Sequence, residues 1–402
     1  MFIELLAFTI IGILFGIFTG ITPGIHINLV AVVLLSVSPF LLAYFFPLSV
    51  ACLIISMSVT HTFIDFIPST FLGAPEEATA LAVLPAHKLL LRGMAYEAVR
   101  LSSIGSLLSL IAIACSSFLL LRIVPFIYDS IKDYIGWILL AVVLFMIFRS
   151  KDKNRIFWSA FVFLLSGVFG IIVFSMNIEE PLFPMFSGMF GVSMLLSSIF
   201  DKVRIPKQRL TEMIKVKKER IMKATVAGSF SGGLTSIFPG LGPAQAAIVA
   251  SQMAGRLGIY SYIILIGGIG TASMMMSLIT LFSIEKARNG SIIVVQQLVS
   301  GISISDFYLF IAVSLIAGGI AVFLSLYIAK IFSAFIEKVN YQMLCLMIII
   351  AIALLSFLFG RWLGTLILIV SASIGLLPPL LNIGRNHLMG SLLLPVIFYF
   401  IL

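Results

Sequence analysis

Two short stretches interrupt apolar sequence with residues that act through the backbone. Near the start stands Gly16-Ile-Phe-Thr19-Gly20-Ile-Thr22-Pro23-Gly24-Ile-His26-Ile-Asn28, and past the midpoint Gly232-Gly-Leu-Thr235-Ser236-Ile-Phe-Pro239-Gly240-Leu-Gly242-Pro-Ala-Gln245. Proline lacks an N–H and cannot continue the helix behind it, and glycine lets the chain turn with positive φ. Each Pro-Gly pair therefore ends one half-helix and begins another. The new N-terminus offers free N–H groups and the positive end of a dipole, which suits an anion. Hydroxyls and amides of Thr19, Thr22, Asn28, Thr235, Ser236 and Gln245 add donors beside them. The competing reading of a single Pro-Gly is a kink packed with small residues. His26 reads either as a binding residue or as a hydrogen-bonded residue of the turn.

Carboxylates form a second set. Pro68-Ser69-Thr70-Phe-Leu-Gly73-Ala-Pro-Glu76-Glu77-Ala-Thr79-Ala follows an apolar run, and its counterpart Ser277–Ser291 holds Glu285, Arg288 and Asn289. Both read as re-entrant hairpins or gating loops. Glu76 and Glu77 either couple a cation or proton, or act as first-turn acids of a short helix over 76–92. His61 and Asp65 lie one helical turn apart in apolar sequence, where an ionisable side chain is costly and points to function. No Walker loop, zinc spacing or convincing Ser/His/Asp set is present, so the expectation is a non-enzyme without metal or cofactor, Na+ or H+ entering only as a transported ion.

The elements that position these residues must sit in lipid. The chain has 402 residues, 61% of them hydrophobic and 10% charged, with mean hydropathy +1.21. Ordinary soluble domains carry about 25% charged residues. Long continuous runs such as Trp137–Phe148, Phe157–Phe174 and Met343–Phe359 fit helices, which need roughly 20 apolar residues to cross, and not barrel strands. Apolar segments fall near 3–20, 27–46, 48–68, 96–124, 135–149, 156–176, 183–200, 221–238, 243–256, 259–283, 304–330, 342–360, 363–380 and 388–402, with 74–92 and 285–301 too short or too polar for plain spans. The first run starts at once, without a basic n-region, and reads as a first helix. Cys52, Cys115 and Cys345 sit within apolar runs, an odd, buried set with neither disulfide nor zinc spacing.

The net charge of +9 concentrates beside apolar runs, the pattern of cytoplasmic loops and not of a nucleic-acid surface. The stretch from Lys202 to Lys223 carries nine Lys/Arg and reads as a solvated cytoplasmic connector, with a lipid-headgroup or regulatory site as the alternative. Arg149–Arg155 then also lies inside, and the loop with Glu179 and Glu180 outside. The Pro-Gly pairs align at an offset of 216, which also pairs Gly16 with Gly232 and Thr19 with Thr235. Ser166–Gly170 with Asn177 similarly pairs with Ser371–Gly375 and Asn382 at an offset of 205. Basic ends swap between the matched helices: 96–124 begins basic, whereas 304–330 ends near Lys330 and Lys338. The expected architecture is all-α and polytopic, with two inverted-topology repeats, broken helices and re-entrant hairpins. The divisions are 1–200, the connector 201–223, and 224–402, in the plasma membrane with both termini extracytoplasmic.

At these residues the chain resembles the large permease subunit of the tripartite tricarboxylate transporters, as a short, divergent member. Pro23-Gly24 and Pro239-Gly-Leu-Gly242-Pro243 match that family's paired breaks. Gly73-Ala-Pro75-Glu-Glu-Ala-Thr79, followed by Lys88 to Gly93, is similar to its Gly-Pro-rich stretch and basic segment, with Glu-Glu where small residues usually stand. The resemblance implies a secondary permease for di- or tricarboxylates, served by a small membrane subunit and an extracytoplasmic binding protein. The residues themselves support H+- or Na+-coupled uptake of a small organic anion around a midplane site, in a chain able to form a homo-oligomer. The alternative they leave open is a translocase that moves a polyprenyl-phosphate lipid carrier by its anionic headgroup.

Overall fold

The computed structural model describes the chain except for residues 1, 23–26, 74–78, 80–82, 149, 151, 177, 179–180, 201–204, 212–213, 239–241, 256, 300, 337–339 and 402. The described residues are helical, with no strand among them. In order the helices are α1 Phe2–Ile21, α2 Ile27–Ser36, α3 Ser38–Leu41, α4 Pro47–Ile64, α5 Phe66–Phe71, α6 Val83–Leu90, α7 Ala95–Ile131, α8 Ile135–Phe148 and α9 Lys153–Ser175. Then follow α10 Leu182–Phe186, α11 Ser193–Phe200, α12 Lys218–Ile237, α13 Pro243–Met253, α14 Ile259–Ile284, α15 Gly290–Leu298, α16 Ile304–Ile336, α17 Tyr341–Leu380 and α18 Gly390–Ile401. Seven helices among the described residues are long and apolar enough to cross a membrane.

Several boundaries differ from the sequence expectations for local reasons. The segments near 27–46 and 243–256 yield helices of only 10 and 11 residues, α2 and α13, too short to span. The expected span over 96–124 extends to 37 residues as α7, carrying Pro125 inside it. The two expected helices at 342–360 and 363–380 run together as α17, broken in the middle at Arg361, whose φ of 48° and ψ of −140° lie outside helical space. A π-turn over Ser187–Val192 joins α10 to α11. The cysteines are not uniformly buried: Cys115 is exposed on the outer face of α7, where lipid replaces protein as the apolar surround.

Starts are set by caps. Pro47 opens α4, the Asn289 side chain accepts from the Ser291 N–H to open α15, and Asn340 does the same for α17 through Gln342 and Met343. Ser303 and Asp306 form a reciprocal box ahead of α16, with the Asp306 carboxylate accepting from the Ser303 N–H at 3.0 Å and the Ser303 hydroxyl accepting from the Asp306 N–H at 3.2 Å.

Small residues bring two helix pairs into close contact. On α1, Gly12, Gly16 and Gly20 repeat every fourth residue and lie against α4; a Cβ on Gly16 would stand 2.6 Å from the Met57 carbonyl oxygen. On α12, Gly228 and Gly232 lie against α14, where a Cβ on Gly232 would stand 2.6 Å from the Ile269 carbonyl oxygen. Within lipid, where helices gain no hydrophobic drive by associating, such close backbone approach supplies much of the packing energy.

Packing between the halves is crossed. The first half's α7 lies along α14, and the second half's α16 lies along α4, while α7 and α16 touch each other. At the far ends α18 packs on α8 and α9, and α17 packs on α10 and α11. Polar contacts stitch these seams: Ser103 and Ser325 hydroxyls lie 2.9 Å apart, as do those of Thr62 and Thr271.

The connector is pinned, not merely solvated. Gln208 accepts from the Ala95 N–H at 3.1 Å and donates to the Leu90 carbonyl at 3.0 Å, and the Arg209 N–H donates to the Gly93 carbonyl at 2.8 Å. Glu97, fully buried, pairs with Arg100 at 2.9 Å, and Arg100 in turn donates to the Ile214 carbonyl at 3.1 Å.

Candidate functional site

The helices that follow both interruptions begin at one cavity of about 550 Å³. Ile27 and Asn28, the first residues of α2, line it from the first half; Gly242 and Pro243, at the start of α13, line it from the second. The two short helices thus begin at a common space, and a helix start carries free N–H groups and the positive end of the helix dipole.

The last turns of α4 and the second half of α14 supply side chains. His61, Thr62 and Asp65 come from α4 and its end, and Ser273 and Ser277 from α14. The arrangements behind them correspond. The Thr19 hydroxyl on α1 lies 3.0 Å from His61 Nδ1 and also reaches the Gly16 carbonyl at 3.3 Å. The Thr235 hydroxyl on α12, which also lines the cavity, lies 2.6 Å from the Ser273 hydroxyl and 2.7 Å from the Gly232 carbonyl. Ser236 donates to the Ser273 carbonyl at 2.8 Å and lies 3.1 Å from the Ser277 hydroxyl. One half presents an imidazole and a carboxylate where the other presents two hydroxyls.

The turn between α14 and α15 closes another side with Arg288, Asn289 and Gly290. Asn289 is occupied as the α15 cap, accepting from the Ser291 N–H at 3.1 Å, and Asn28 reaches the same N–H at 3.2 Å, which ties α2 to α15. Gly290 has no room for a side chain, since a Cβ would stand 2.7 Å from the Asn28 carboxamide carbon. Arg288 makes no hydrogen bond or ion pair with a described residue. Burial lowers its pKa from the usual value and the nearby Tyr128 raises it, but a guanidinium stays charged and keeps its donors in a planar fork. Its neighbour Lys286 is taken, with Nζ 2.6 Å from the Tyr128 hydroxyl. The remaining wall is apolar: Phe174, Leu182, Leu392, Pro395, Val396 and Phe400. Tyr399, 81% exposed, stands at the rim.

Of the residues singled out from sequence, Asn28, His61, Asp65, Thr235, Gly242, Arg288 and Asn289 line this cavity. Thr19 and Ser236 stand behind it as supports, and Gly20 is a packing residue against Ile64. Thr22 ends α1 with its N–H on the Phe18 carbonyl. Pro23, Gly24, His26, Glu76, Glu77, Pro239 and Gly240 lie outside the described residues, as does the side chain of Gln245. Ser69 and Thr79 hydroxyls lie 2.5 Å apart, Thr70 bonds the Phe66 carbonyl, and Gly73, at φ +63°, packs on Met194; none of these four lines the cavity. Glu285 is an exposed left-handed cap of α14 whose carbonyl accepts from Gln296. Sequence reasoning passed over Thr62, Ser273 and the apolar wall. Ser273 answers to His61 at an offset of 212, one helical turn short of the 216 that relates the Pro-Gly pairs.

Residues 6–390 match the Tripartite tricarboxylate transporter TctA family. The chain belongs to this family. Across 98% of its length it is also 32% identical to an uncharacterized protein of Methanocaldococcus jannaschii, of which the match covers 99%. No solved structure matches it. Membership in the TctA family agrees with the resemblance carried by Pro23-Gly24 and Pro239-Gly-Leu-Gly242. It makes the chain a multi-pass membrane protein of a transporter family, not of an enzyme class.

Proposed function

We propose that the chain is the permease of a secondary transport system that takes up a small organic anion together with H+ or Na+, driven by the gradient of that ion. The observation that carries this reading is the shared cavity, lined by the starts of α2 and α13 together with Arg288, which has no hydrogen-bond or ion-pair partner among the described residues. An anion entering it meets two helix N-termini and one guanidinium, the groups that replace lost hydration most effectively for a carboxylate.

In this reading the halves are inverted repeats that rock about the site. The crossed packing of α7 on α14 and of α16 on α4, and the matching Thr19–His61 and Thr235–Ser273 contacts, support a two-fold relation. His61 and Asp65 couple the ion: bound beside the substrate, a proton or Na+ offsets the carboxylate of Asp65 and favours closure. The segments 68–80 and 277–291 gate access. The connector lies in the cytoplasm and both termini outside, so the cavity, bordered by Phe174 and Leu182 on either side of the Glu179–Glu180 loop, faces outward. A small membrane subunit and an extracytoplasmic binding protein deliver the substrate. Family membership speaks against the lipid-carrier translocase.

The test is uptake by proteoliposomes containing the purified chain, with an inward pH or Na+ gradient imposed. Concentrative entry of a carboxylate under one of the two gradients supports the proposal. Entry that ignores both gradients, or no entry of any carboxylate with and without a co-expressed binding protein, contradicts it.

A further inference from the structure

The charge inventory of the cavity points to a narrower substrate than the family's name. We infer that this chain's site takes a monocarboxylate with an apolar body, such as an aryl or alkyl acid, and not a tricarboxylate. The inference rests on the permease reading and deepens it.

Each carboxylate moved from water into a protein cavity needs its own compensation, because an unpaired buried charge is strongly penalised. Arg288 is the one Lys or Arg among the described lining residues. The sequence adds none at the two interruptions, since residues 23–26 and 239–241 contain neither Lys nor Arg. The starts of α2 and α13 contribute roughly half a positive charge each. Asp65, also in the lining, carries a negative charge of its own, and of this positive total Arg288 alone is a full charge. A bidentate pair with Arg288 commits the one Lys or Arg of the described lining to a single carboxylate. A tricarboxylate would bring two more charges against the fractional charges of the two helix starts.

The rest of the wall says what accompanies that carboxylate. Phe174, Leu182, Leu392, Pro395, Val396 and Phe400 form a continuous apolar contribution from α9, α10 and α18, elements that lie outside both Pro-Gly regions. A compact polyacid would leave these side chains against polar groups or trapped water. A phenyl or short alkyl body covers them, and a cavity of about 550 Å³ has room for one.

Calorimetric titration of the purified chain in detergent decides this, using phenylacetate, hexanoate, acetate and citrate as probes, alongside proteoliposome uptake of the same compounds. Phenylacetate or hexanoate should bind at least tenfold more tightly than either acetate or citrate. Arg288→Gln should weaken phenylacetate at least tenfold, and Leu392→Ala should weaken phenylacetate while leaving acetate unchanged. Citrate as the tightest ligand of the unmutated chain, or equal affinity for acetate and phenylacetate, would overturn the inference and leave the permease reading standing. Neither binding nor uptake of any of the four would overturn both.

Discussion

His61 and Ser273 each meet the threonine one turn before a Pro-Gly pair, Thr19 at 3.0 Å and Thr235 at 2.6 Å, and each lines the same cavity. The first is an imidazole and the second a hydroxyl. The two contacts are thus alike in geometry and unlike in chemistry, in keeping with the coupling role proposed for His61.

From this asymmetry follows a direct test of coupling. His61→Ser, which gives the first half the second half's side chain, and Asp65→Asn should each abolish the response of uptake to the driving gradient. Gradient-driven accumulation should fall by at least about tenfold, equal to about 1.4 kcal/mol, while exchange of substrate at equal concentrations continues. Uptake that keeps its full gradient response in both variants would remove these residues from the coupling role.

The close helix pairs predict where bulk is not tolerated. Gly16→Leu and Gly232→Leu each push a side chain into a backbone carbonyl 2.6 Å from the Cβ position. Overpacking of this kind costs about 1–3 kcal/mol or more, so both should lower the unfolding midpoint in detergent or prevent accumulation. Gly319→Leu, where a Cβ meets nothing within 4 Å, serves as the tolerated control on α16. Equal stability of all three would contradict the packing described for α1–α4 and α12–α14.

The pinned connector should resist proteolysis. Glu97→Gln removes the buried partner of Arg100 and loosens the segment around Ile214. Breaking a buried pair costs about 3–5 kcal/mol, less here because Arg100 is partly exposed. Trypsin should then cut at Lys215, Lys217 and Lys218 several times faster in inverted vesicles than in the unmutated chain. Unchanged cleavage would show that the Glu97–Arg100 contact does not hold the connector.

Stability should also fall in mild acid. Burial lowers the pKa of His87, on α6, from 6.5 to about 4, with a hydrogen bond to the Thr70 backbone opposing the shift. The unfolded chain therefore binds a proton at this site between pH 6.5 and about 4 that the folded chain refuses, so its contribution is complete above pH 6.5 and is lost as pH falls toward 4. The unfolding midpoint should drop across that window, and His87→Gln should flatten part of the drop. A midpoint independent of pH between 7 and 4 would contradict the buried neutral imidazole.

Much of this architecture is legible in the sequence because lipid leaves few options. The helical class, the paired interruptions and the family resemblance all rest on apolar length and on Pro23-Gly24 and Pro239-Gly240. Asn28, Asp65, Thr235, Gly242, Arg288 and Asn289 could be singled out because each is a polar or small residue at or near an interruption or hairpin. Ser273 could not, since a serine on an apolar helix carries no periodic signal and its correspondence to His61 depends on a one-turn shift between α4 and α14. The apolar wall was equally silent: Phe174, Leu392 and Val396 look like any lipid-facing residue until α9 and α18 fold across the cavity. The connector's docking rests on backbone bonds such as Arg209 to Gly93, which sequence does not encode visibly.

The central claim is that the cavity shared by both halves carries an organic anion through Arg288. Proteoliposome uptake by the unmutated chain, Arg288→Lys and Arg288→Gln, measured across a panel of carboxylates under imposed pH and Na+ gradients, tests it most directly. The account predicts gradient-driven uptake of a carboxylate by the unmutated chain, weaker uptake with Lys, which keeps the charge but not the fork, and at least about tenfold less with Gln. Uptake unaltered in Arg288→Gln, or entry of no carboxylate under any gradient, would contradict it.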